Sequence, residues 1–374
     1  MTLSENEAGI LTTTTGGSSK NRILSFLHQN DLSTARLLEG LERKSLYFRR
    51  VNVTHEFCHN LDLFLQSSSW QSAELDAVTG QVGRLLSILL SASSPVLELN
   101  FCSMNNQSMD LYAWGSLGRG LRRNILHSLT LSWTEIPSEG MRRLADGLKD
   151  ALRLEVLEFS CTTWTNRHVP NGYEENVSNA SLSMQPDSDS HCDDDYQSAY
   201  YLSQSLKKIL SLKELILNGS NIADPSAALI VGALVNHSAL QKMWLSMNKC
   251  GEATSAALSE MLRHPNCALQ ALYLDGQRFP RGGRCRRSET KLNISVLSAA
   301  LRANRSLKVL DLTDNHFLQD QELELLGQCL SFCDDTSSSS PASPSSVRVN
   351  TTLQTLQLAR NGITSRGLAN FLCN

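Results

Sequence analysis

Apolar residues recur along most of the chain in short segments that share one spacing. In the segment LQKMWLSMN, the first, fourth and sixth positions are Leu240, Met243 and Leu245. Residues two apart lie on the same face of a β-strand, so the fourth and sixth positions predict a short strand with one buried face. Trp244 lies between them, and the same alternation predicts that its side chain points to the outward face.

Eight segments fit the pattern LxxLxLxxNxL, and most are followed by a second apolar pattern. The segments begin at Ser94, Leu126, Leu154, Leu212, Leu240, Leu269, Leu307 and Leu353. Behind them, apolar residues stand four apart at Leu144 and Leu148, Leu202 and Leu206, Ile230 and Leu234, Leu258 and Leu262, and Leu297 and Leu301. This spacing places such residues on one face of an α-helix. Each unit is therefore predicted as a strand, a turn and a helix.

The first of these segments, SPVLELNFCSM, is a degenerate copy of the pattern. Its first position is Ser94 rather than leucine, and Leu97 and Leu99 take the fourth and sixth positions. This register predicts that Glu98 and Phe101 lie on the outward face of the strand.

The distances between successive segments indicate three insertions. Regular units start 28 residues apart, as at Leu212 and Leu240, whereas the longer gaps are 58, 38 and 46 residues. The insertions fall at about 165–200, at 278–291 and at 333–350. The first is acidic and is predicted to be disordered, and the third is a Ser/Pro-rich linker. The second is rich in arginine and is interpreted as a solvated loop, with a nuclear-localisation or phosphate-binding patch as the alternative.

The acidic insertion contains the stretch HCDDD at 191–195, which raises the question of a metal site. His191, Cys192 and Asp193 are metal-binding residue types, but adjacent ligands on one loop make a poor closed site. The ten cysteines of the chain are scattered and form no CxxC pair, which disfavours a zinc ribbon or a thioredoxin-type site. We therefore expect no metal and no other cofactor.

The repeating unit resembles that of the ribonuclease-inhibitor-like leucine-rich repeat family, whose units also fill the repeat arrays of NOD-like receptors. The resemblance covers residues 94–374. It implies an α/β fold, a leucine-rich-repeat solenoid or horseshoe, with a parallel β-sheet on the concave side and helices on the convex side. The resemblance is specific for this architecture, but it leaves the function open.

The ninth position of the pattern is asparagine in three units, at Asn248, Asn315 and Asn361. An asparagine amide carries both donors and an acceptor, and we expect it to satisfy backbone groups in the turn. Other units have Thr134, Thr162, Ser220 and Gln277 at this position. Serine and threonine hydroxyls are expected to satisfy fewer of the backbone groups in the turn.

The two ends of the chain are less regular than the middle. Residues 1–93 are predicted as an N-terminal helical cap with degenerate repeats, because repeat arrays need a polar end cap. In this region SLYFRRVNVTH is predicted as a strand and SAELDAVTGQVGRLLSILL as a helix, while a separate small domain is the alternative. Asn374 falls inside a repeat, so the last unit is either an imperfect cap or part of a longer array.

Composition and charge narrow the class of protein further. A net charge of −3 favours neither nucleic acid nor acidic ligands as partners. The N-terminus has no apolar signal-peptide core, and no apolar run approaches the ~20 residues that span a bilayer. We therefore expect a reduced cytoplasmic protein, with the nucleus as the alternative, and no membrane association.

Known catalytic motifs are missing from the sequence. The stretch TTGGSSKN near Lys20 has asparagine where a phosphate-binding loop requires serine or threonine, so the nucleotide-binding domain of NOD-like receptors is not expected in this chain. There is no HExxH, GxSxG or kinase motif. A solenoid of short strands also lacks the deep apolar pocket typical of enzymes. The sequence thus favours a protein that is not an enzyme.

The predicted register brings a group of large side chains together on the outward face of the strands. Ile216, Trp244 and Tyr273 occupy the fifth position of successive units, and Met247 occupies the eighth. We call Ile216, Trp244, Met247 and Tyr273 the aromatic surface, and the neighbouring Asp275, Asp311 and Asp314 the carboxylate border. Aromatic anchors ringed by charge are typical of protein-binding hot spots. The alternative is that the aromatic neighbours only stiffen the sheet.

These observations favour a non-catalytic scaffold that binds a protein partner on its concave face. One alternative is activation of a small GTPase, as in the repeat protein that activates Ran, with Arg278 or Arg281 supplying the catalytic group. Another is a sensor or receptor fragment whose effector domain lies outside this chain. The sequence does not specify the partner, the pathway or the oligomeric state.

Overall fold

The computed structural model describes most of the chain. The described residues are 3–5, 11–13, 44–65, 70–91, 96–104, 109–165, 195–277, 291–330 and 350–373. The basic insertion up to residue 290 and the Ser/Pro-rich insertion up to residue 349 lie outside the described residues.

Strands and helices alternate along the described part of the chain. The strands are β1 (Leu3–Glu5), β2 (Leu11–Thr13), β3 (Ser45–Arg49), β4 (Asn52–Val53), β5 (Ser72–Asp76), β6 (Thr79–Gly80), β7 (Glu98–Cys102), β8 (Ser128–Ser132), β9 (Glu135–Pro137), β10 (Val156–Ser160), β11 (Thr163–Thr165), β12 (Glu214–Ile216), β13 (Lys242–Trp244), β14 (Ala271–Tyr273), β15 (Val309–Asp311) and β16 (Thr355–Gln357). The helices are α1 (His55–Leu65), α2 (Val82–Leu89), α3 (Leu111–Leu121), α4 (Ser138–Leu148), α5 (Tyr196–Leu206), α6 (Asp224–Ala233), α7 (Glu252–Arg263), α8 (Ile294–Ala303), α9 (Asp320–Leu330) and α10 (Ser365–Cys373).

The chain divides into two compact units. The first comprises residues 1–136 and 140–163, and the second comprises residues 137–139 and 164–374. In the first unit, β3, β5, β7, β8 and β10 pair in parallel and in register, and in the second, β12 to β16 do the same. Strands β1 and β2 form a separate antiparallel pair.

The core of each unit consists of the leucine positions that the sequence pattern marks. Leu240, Met243 and Leu245 are completely buried, and so are their counterparts on most other strands. The apolar pairs four residues apart, such as Leu258 and Leu262, are buried on the helices. The predicted α/β fold of leucine-rich repeats, with each unit built from a strand, a turn and a helix, is confirmed.

The predicted register of the first segment is wrong by two residues. Strand β7 pairs with β8 so that Leu99 lies opposite Leu129 and Phe101 opposite Leu131. Leu99 and Phe101 are therefore the fourth and sixth positions, and Phe101 is buried in the core instead of facing outward. A shift of two residues keeps the alternation of faces, so the apolar pattern alone does not separate these two registers.

Two predicted boundaries also differ from the structure. The segment from Ser72 to Asp76, which we predicted as the start of a helix, forms strand β5, and helix α2 begins only at Val82. The alternation of buried Ala73 and Leu75 with half-buried neighbours explains the strand. At the other boundary, helix α5 begins at Tyr196, inside the interval that we assigned to the acidic insertion.

Asp195, which we assigned to the disordered acidic loop, is buried in front of helix α5. Its carboxylate accepts a hydrogen bond from the Ala223 backbone N–H at 2.7 Å, at the start of the next helix. Burial raises the pKa of Asp195, and the bond from Ala223 and the charge of Lys249 only partly oppose this. Asp195 is thus part of the packed repeat.

The ninth position forms a hydrogen-bonded ladder in the second unit. The Asn248 amide donates to the carbonyl oxygens of Leu217 at 2.6 Å and Leu245 at 3.0 Å, and its oxygen accepts from Ile222 N–H. Gln277 makes equivalent bonds in the next repeat, so the longer amide substitutes for asparagine. Thr134 makes a single bond to the Ser132 carbonyl, as expected for a hydroxyl.

Candidate protein-binding surface

Three neighbouring strands of the second unit carry the fifth-position residues of the aromatic surface. Ile216 on β12 lies opposite Trp244 on β13, and Trp244 lies opposite Tyr273 on β14. All three side chains are half-buried. In contrast, Met243 and Leu245, which precede and follow Trp244 in the chain, are fully buried. These three residues therefore lie on the open face of the strands, which is the face opposite the buried leucines.

The rings of Trp244 and Tyr273 stack on each other. Their centroids are 4.8 Å apart and their planes differ by 4°. Adjacent parallel strands lie about 4.8 Å apart, so two flat rings at paired positions fill the space between the strands without a gap. Such a pair is worth about 0.5–1.5 kcal/mol beyond its area burial, and it holds the indole in one orientation.

Lys242 and Glu214 extend the site at the third position of the same two strands, β13 and β12. The Lys242 Nζ lies 2.8 Å from Glu214 Oε1 and 5.9 Å from the centroid of the Trp244 ring. The hydrogen bond and charge of Glu214 raise the pKa of Lys242. The structure thus places a cation against the indole. Comparison of the third-position residues of adjacent repeats would have revealed this pair in the sequence.

Met247 adds an exposed apolar side chain at the eighth position. Its side chain is 45% exposed and its φ is 57°, in the left-handed region. The eighth position is left-handed throughout the second unit, and it is glycine at Gly219 and Gly276. A side chain on Gly276 would contact the Met247 side chain at 3.3 Å. Glycine at this position therefore leaves room for Met247 beside the next repeat.

The carboxylate border lies on the strands that follow, and its three members differ in environment. Asp275 accepts a hydrogen bond from the Ser246 hydroxyl. Asp311 lies opposite Tyr273 and is only 9% exposed, and its carboxylate accepts a hydrogen bond from the Thr313 N–H at 2.8 Å within its own turn. Asp314 is half-buried, and its Oδ1 lies 3.9 Å from the exposed His316 ring. Asp275 and Asp314 thus present more carboxylate surface than Asp311.

The residues that the structure describes hold neither a cluster of metal ligands nor a membrane-spanning helix. No group of three His, Cys, Asp or Glu residues there could hold a metal ion, and no helix there is long and apolar enough to cross a membrane. His191, Cys192 and Asp193 lie outside the described residues, as do Arg278 and Arg281. The structure therefore tests neither the expectation of no metal at HCDDD nor the GTPase alternative at Arg278 and Arg281.

Comparison with known proteins identifies the class to which this arrangement of strands and helices corresponds. A family described as "Leucine Rich repeat" matches residues 303–326 and 349–372, which contain β15, β16 and most of helices α9 and α10. Two segments of the chain therefore match leucine-rich repeats, and its repeats resemble the repeat arrays of NOD-like receptors.

Individual relatives make that resemblance more specific. Human NACHT, LRR and PYD domains-containing protein 14 is 26% identical over 54% of this chain and 18% of its own length. Human NACHT, LRR and PYD domains-containing protein 5 is 27% identical over 65% of this chain and 20% of its own length. The mouse counterpart of protein 14 is 31% identical over 44% of this chain and 16% of its own length. The chain therefore spans at most about a fifth of these relatives.

A solved structure, that of a TLR13–ssRNA13 complex, overlaps with 76% of this chain and 38% of its own chain. The sequence identity is 15% and the TM-score is 0.35. A likeness at this level says nothing about what the present chain binds.

Proposed function

We propose that this protein is a non-catalytic interaction scaffold that binds a protein partner through the aromatic surface. The observation that carries the proposal is the stacked pair of Trp244 and Tyr273 on the open face of the strands. This face is the one that the resemblance to leucine-rich repeats predicts to be concave. A rigid, half-exposed indole beside a second ring and a methionine is the kind of anchor found at binding hot spots.

The physical basis of the proposal is that the surface is already ordered before a partner arrives. Buried residues flank Trp244 in the strand, and Tyr273 holds its ring. Binding then costs little side-chain entropy, because the rotamers are fixed in advance. The exposed Met247 thioether adapts to irregular shapes and complements the rigid rings.

The charge of this face favours a protein over a nucleic acid. The carboxylate border is adjacent to the aromatic surface, and the net charge of the chain is −3. Phosphates would be repelled by these carboxylates, and binding of nucleic acid usually depends on lysine and arginine contacts to phosphate.

A sensor role is the second candidate function, and the relatives favour it. Their names include NACHT and PYD domains, and the chain matches a fifth or less of their length. In such a protein the repeats supply recognition and another domain supplies the response. Activation of a small GTPase stays a prediction from the sequence, and a GTPase turnover assay tests it directly.

The cysteines support the proposal of a cytoplasmic or nuclear location. Six cysteines of the described residues are free thiols: Cys58, Cys102, Cys161, Cys250, Cys267 and Cys329. Burial, assisted by the charge of Asp224, raises the pKa of Cys250 to about 12, and burial raises that of Cys329 to about 11. These thiols stay protonated and inert, as suits packed core residues in a reducing compartment. Localisation of the tagged full chain by microscopy tests this proposal.

Affinity purification tests the proposed function. The tagged full chain, the Trp244→Ala variant and the Trp133→Ala variant are compared by quantitative mass spectrometry. Trp133 is a matched control, because it is also an exposed tryptophan but belongs to the first unit. We expect a protein that binds the wild type and Trp133→Ala and is lost with Trp244→Ala. Equal recovery of every partner by the three proteins would exclude the aromatic surface as the binding site.

A further inference from the structure

We infer that the partner inserts an arginine side chain between the aromatic surface and the carboxylate border. This inference rests on the proposed function and specifies the chemistry of its ligand. The occupant is an extended protein segment in which an apolar residue covers Trp244 and a neighbouring arginine reaches Asp275 and Asp314.

The charges on the open face of the second unit are not balanced. Lys242 and Glu214 neutralise each other at one end of the site. At the other end, no lysine or arginine of the described residues forms a salt bridge with Asp275, Asp311 or Asp314. Asp314 Oδ1 lies 3.9 Å from the exposed His316 ring, and Arg360 occupies the same eighth position on the next strand. A cation from a partner would complement this local negative charge, and the low-dielectric aromatic neighbours would strengthen the attraction.

The shape of the strand ends brings two carboxylates within reach of one ligand group. Asp275 occupies the seventh position of one repeat and Asp314 the eighth position of the next, on adjacent parallel strands that lie about 4.8 Å apart. Gly276 lies between Met247 and Asp314 in the row of eighth positions, and it has no side chain to fill that space. An incoming side chain can therefore lie over Gly276 with its head group at the two carboxylates.

The aromatic pair favours arginine over lysine as that cation. A guanidinium stacks on aromatic faces and donates paired hydrogen bonds to carboxylates. An ammonium is a compact point charge that does neither. The position of Lys242, 5.9 Å from the Trp244 ring centroid, shows that this ring accommodates a cation on the protein itself. Tyr273 and Asp275 stand at the fifth and seventh positions of the same repeat, and the face of the Tyr273 ring that does not contact Trp244 offers the second aromatic surface.

Selection from a phage-displayed library of random peptides tests the inference. The bait is the full chain, and peptides that also bind Trp244→Ala are removed. We expect arginine to be enriched in the remaining peptides. Replacing that arginine by citrulline, which keeps the shape but lacks the charge, is expected to weaken binding about tenfold or more. The double variant Asp275→Asn, Asp314→Asn should show the same loss.

The matched control is Glu98→Gln, which removes an exposed strand carboxylate from the first unit and is expected to leave affinity unchanged. Thermal unfolding of each variant checks that it is folded. If Trp244-dependent peptides bind equally well with citrulline, the inference is overturned while the proposed function stands. If no peptide depends on Trp244, the proposed function and the inference both fail.

Discussion

Trp244 on one repeat stacks face to face on Tyr273 of the next repeat, with 4.8 Å between ring centroids and 4° between ring planes. The leucine register makes this contact possible, because it places both residues at the fifth position of paired strands. The pair is half-buried and lies on the face opposite the core. If Trp244 is a surface residue that binds a partner, its substitution should weaken binding and change stability little. If it is a core residue, the same substitution should strongly lower the free energy of unfolding.

Trp244→Ala is expected to lower the free energy of unfolding by about 1 kcal/mol, which is the scale of an aromatic cross-strand pair. The matched core variant Leu245→Ala removes a completely buried side chain and is expected to cost about 2–5 kcal/mol. Chemical denaturation of both variants measures the difference. A loss with Trp244→Ala as large as that with Leu245→Ala would mean that Trp244 is a core residue.

Asn248→Ala is expected to lower the free energy of unfolding by about 3 kcal/mol, because it leaves buried backbone groups without their partner. The amide bonds the carbonyls of Leu217 and Leu245 and the N–H of Ile222. Thr134→Ala, at the same position of another repeat, removes one hydroxyl bond and is expected to cost about 1 kcal/mol. Urea unfolding measures both losses. Equal losses of unfolding free energy in the two variants would contradict the view that these amide bonds explain why asparagine occupies the ninth position.

Gly147→Ala is expected to destabilise the protein by about 2 kcal/mol or more, as an overpacked contact does. A Cβ atom on Gly147 would overlap the backbone carbonyl of Gly118 on the neighbouring helix α3. Gly232 in helix α6 offers the matched control, because a Cβ atom there meets nothing within 4 Å. Gly232→Ala is expected to stabilise by up to about 1 kcal/mol through helix propensity. Thermal unfolding of the two variants in parallel checks that Gly147→Ala lowers the stability and that Gly232→Ala raises it.

Asp195 and Asp320 are expected to give opposite pH dependences of stability. Burial raises the pKa of Asp195, so its contribution is fully present at low pH and is lost as pH rises through that pKa. Hydrogen bonds from the Thr364 hydroxyl and N–H lower the pKa of Asp320, so its contribution is present at neutral pH and is lost on acidification.

Unfolding of wild type, Asp195→Asn and Asp320→Asn between neutral and acidic pH measures the two effects. As the pH falls through the raised pKa of Asp195, wild type is expected to gain stability relative to Asp195→Asn. Below the ordinary aspartate pKa, wild type is expected to lose stability relative to Asp320→Asn. A parallel change for both variants would show that burial of Asp195 does not govern its titration.

The sequence predicted the strand and helix positions of the second unit because its leucines are regular. Spacings of 28 and 29 residues align Leu215, Met243 and Leu272 without ambiguity, and the neighbourhood of Ile216, Trp244 and Tyr273 follows from that alignment. The first strands were harder to predict. A shift of two residues around Phe101 preserves the pattern of faces, so the choice of register depends on strand pairing, which the segment alone does not contain.

Side-chain interactions between repeats were the least predictable part of the site. The outward position of Asp311 follows from the pattern, but its low exposure and the hydrogen bond that it accepts from the Thr313 N–H do not. Asp195 lies in an acidic stretch, and only its contact with Ala223, 28 residues later, shows that it belongs to the packed repeat. Contacts of this kind join residues from different repeats and leave no local signal.

The affinity of a purified partner for wild type, Trp244→Ala and Trp133→Ala tests the central claim most directly. Isothermal titration calorimetry gives the three dissociation constants under one condition. We expect Trp244→Ala to weaken binding by about 2 kcal/mol or more, roughly 30-fold, while Trp133→Ala binds like wild type. Wild-type affinity in a folded Trp244→Ala variant would contradict the claim that this surface is the binding site.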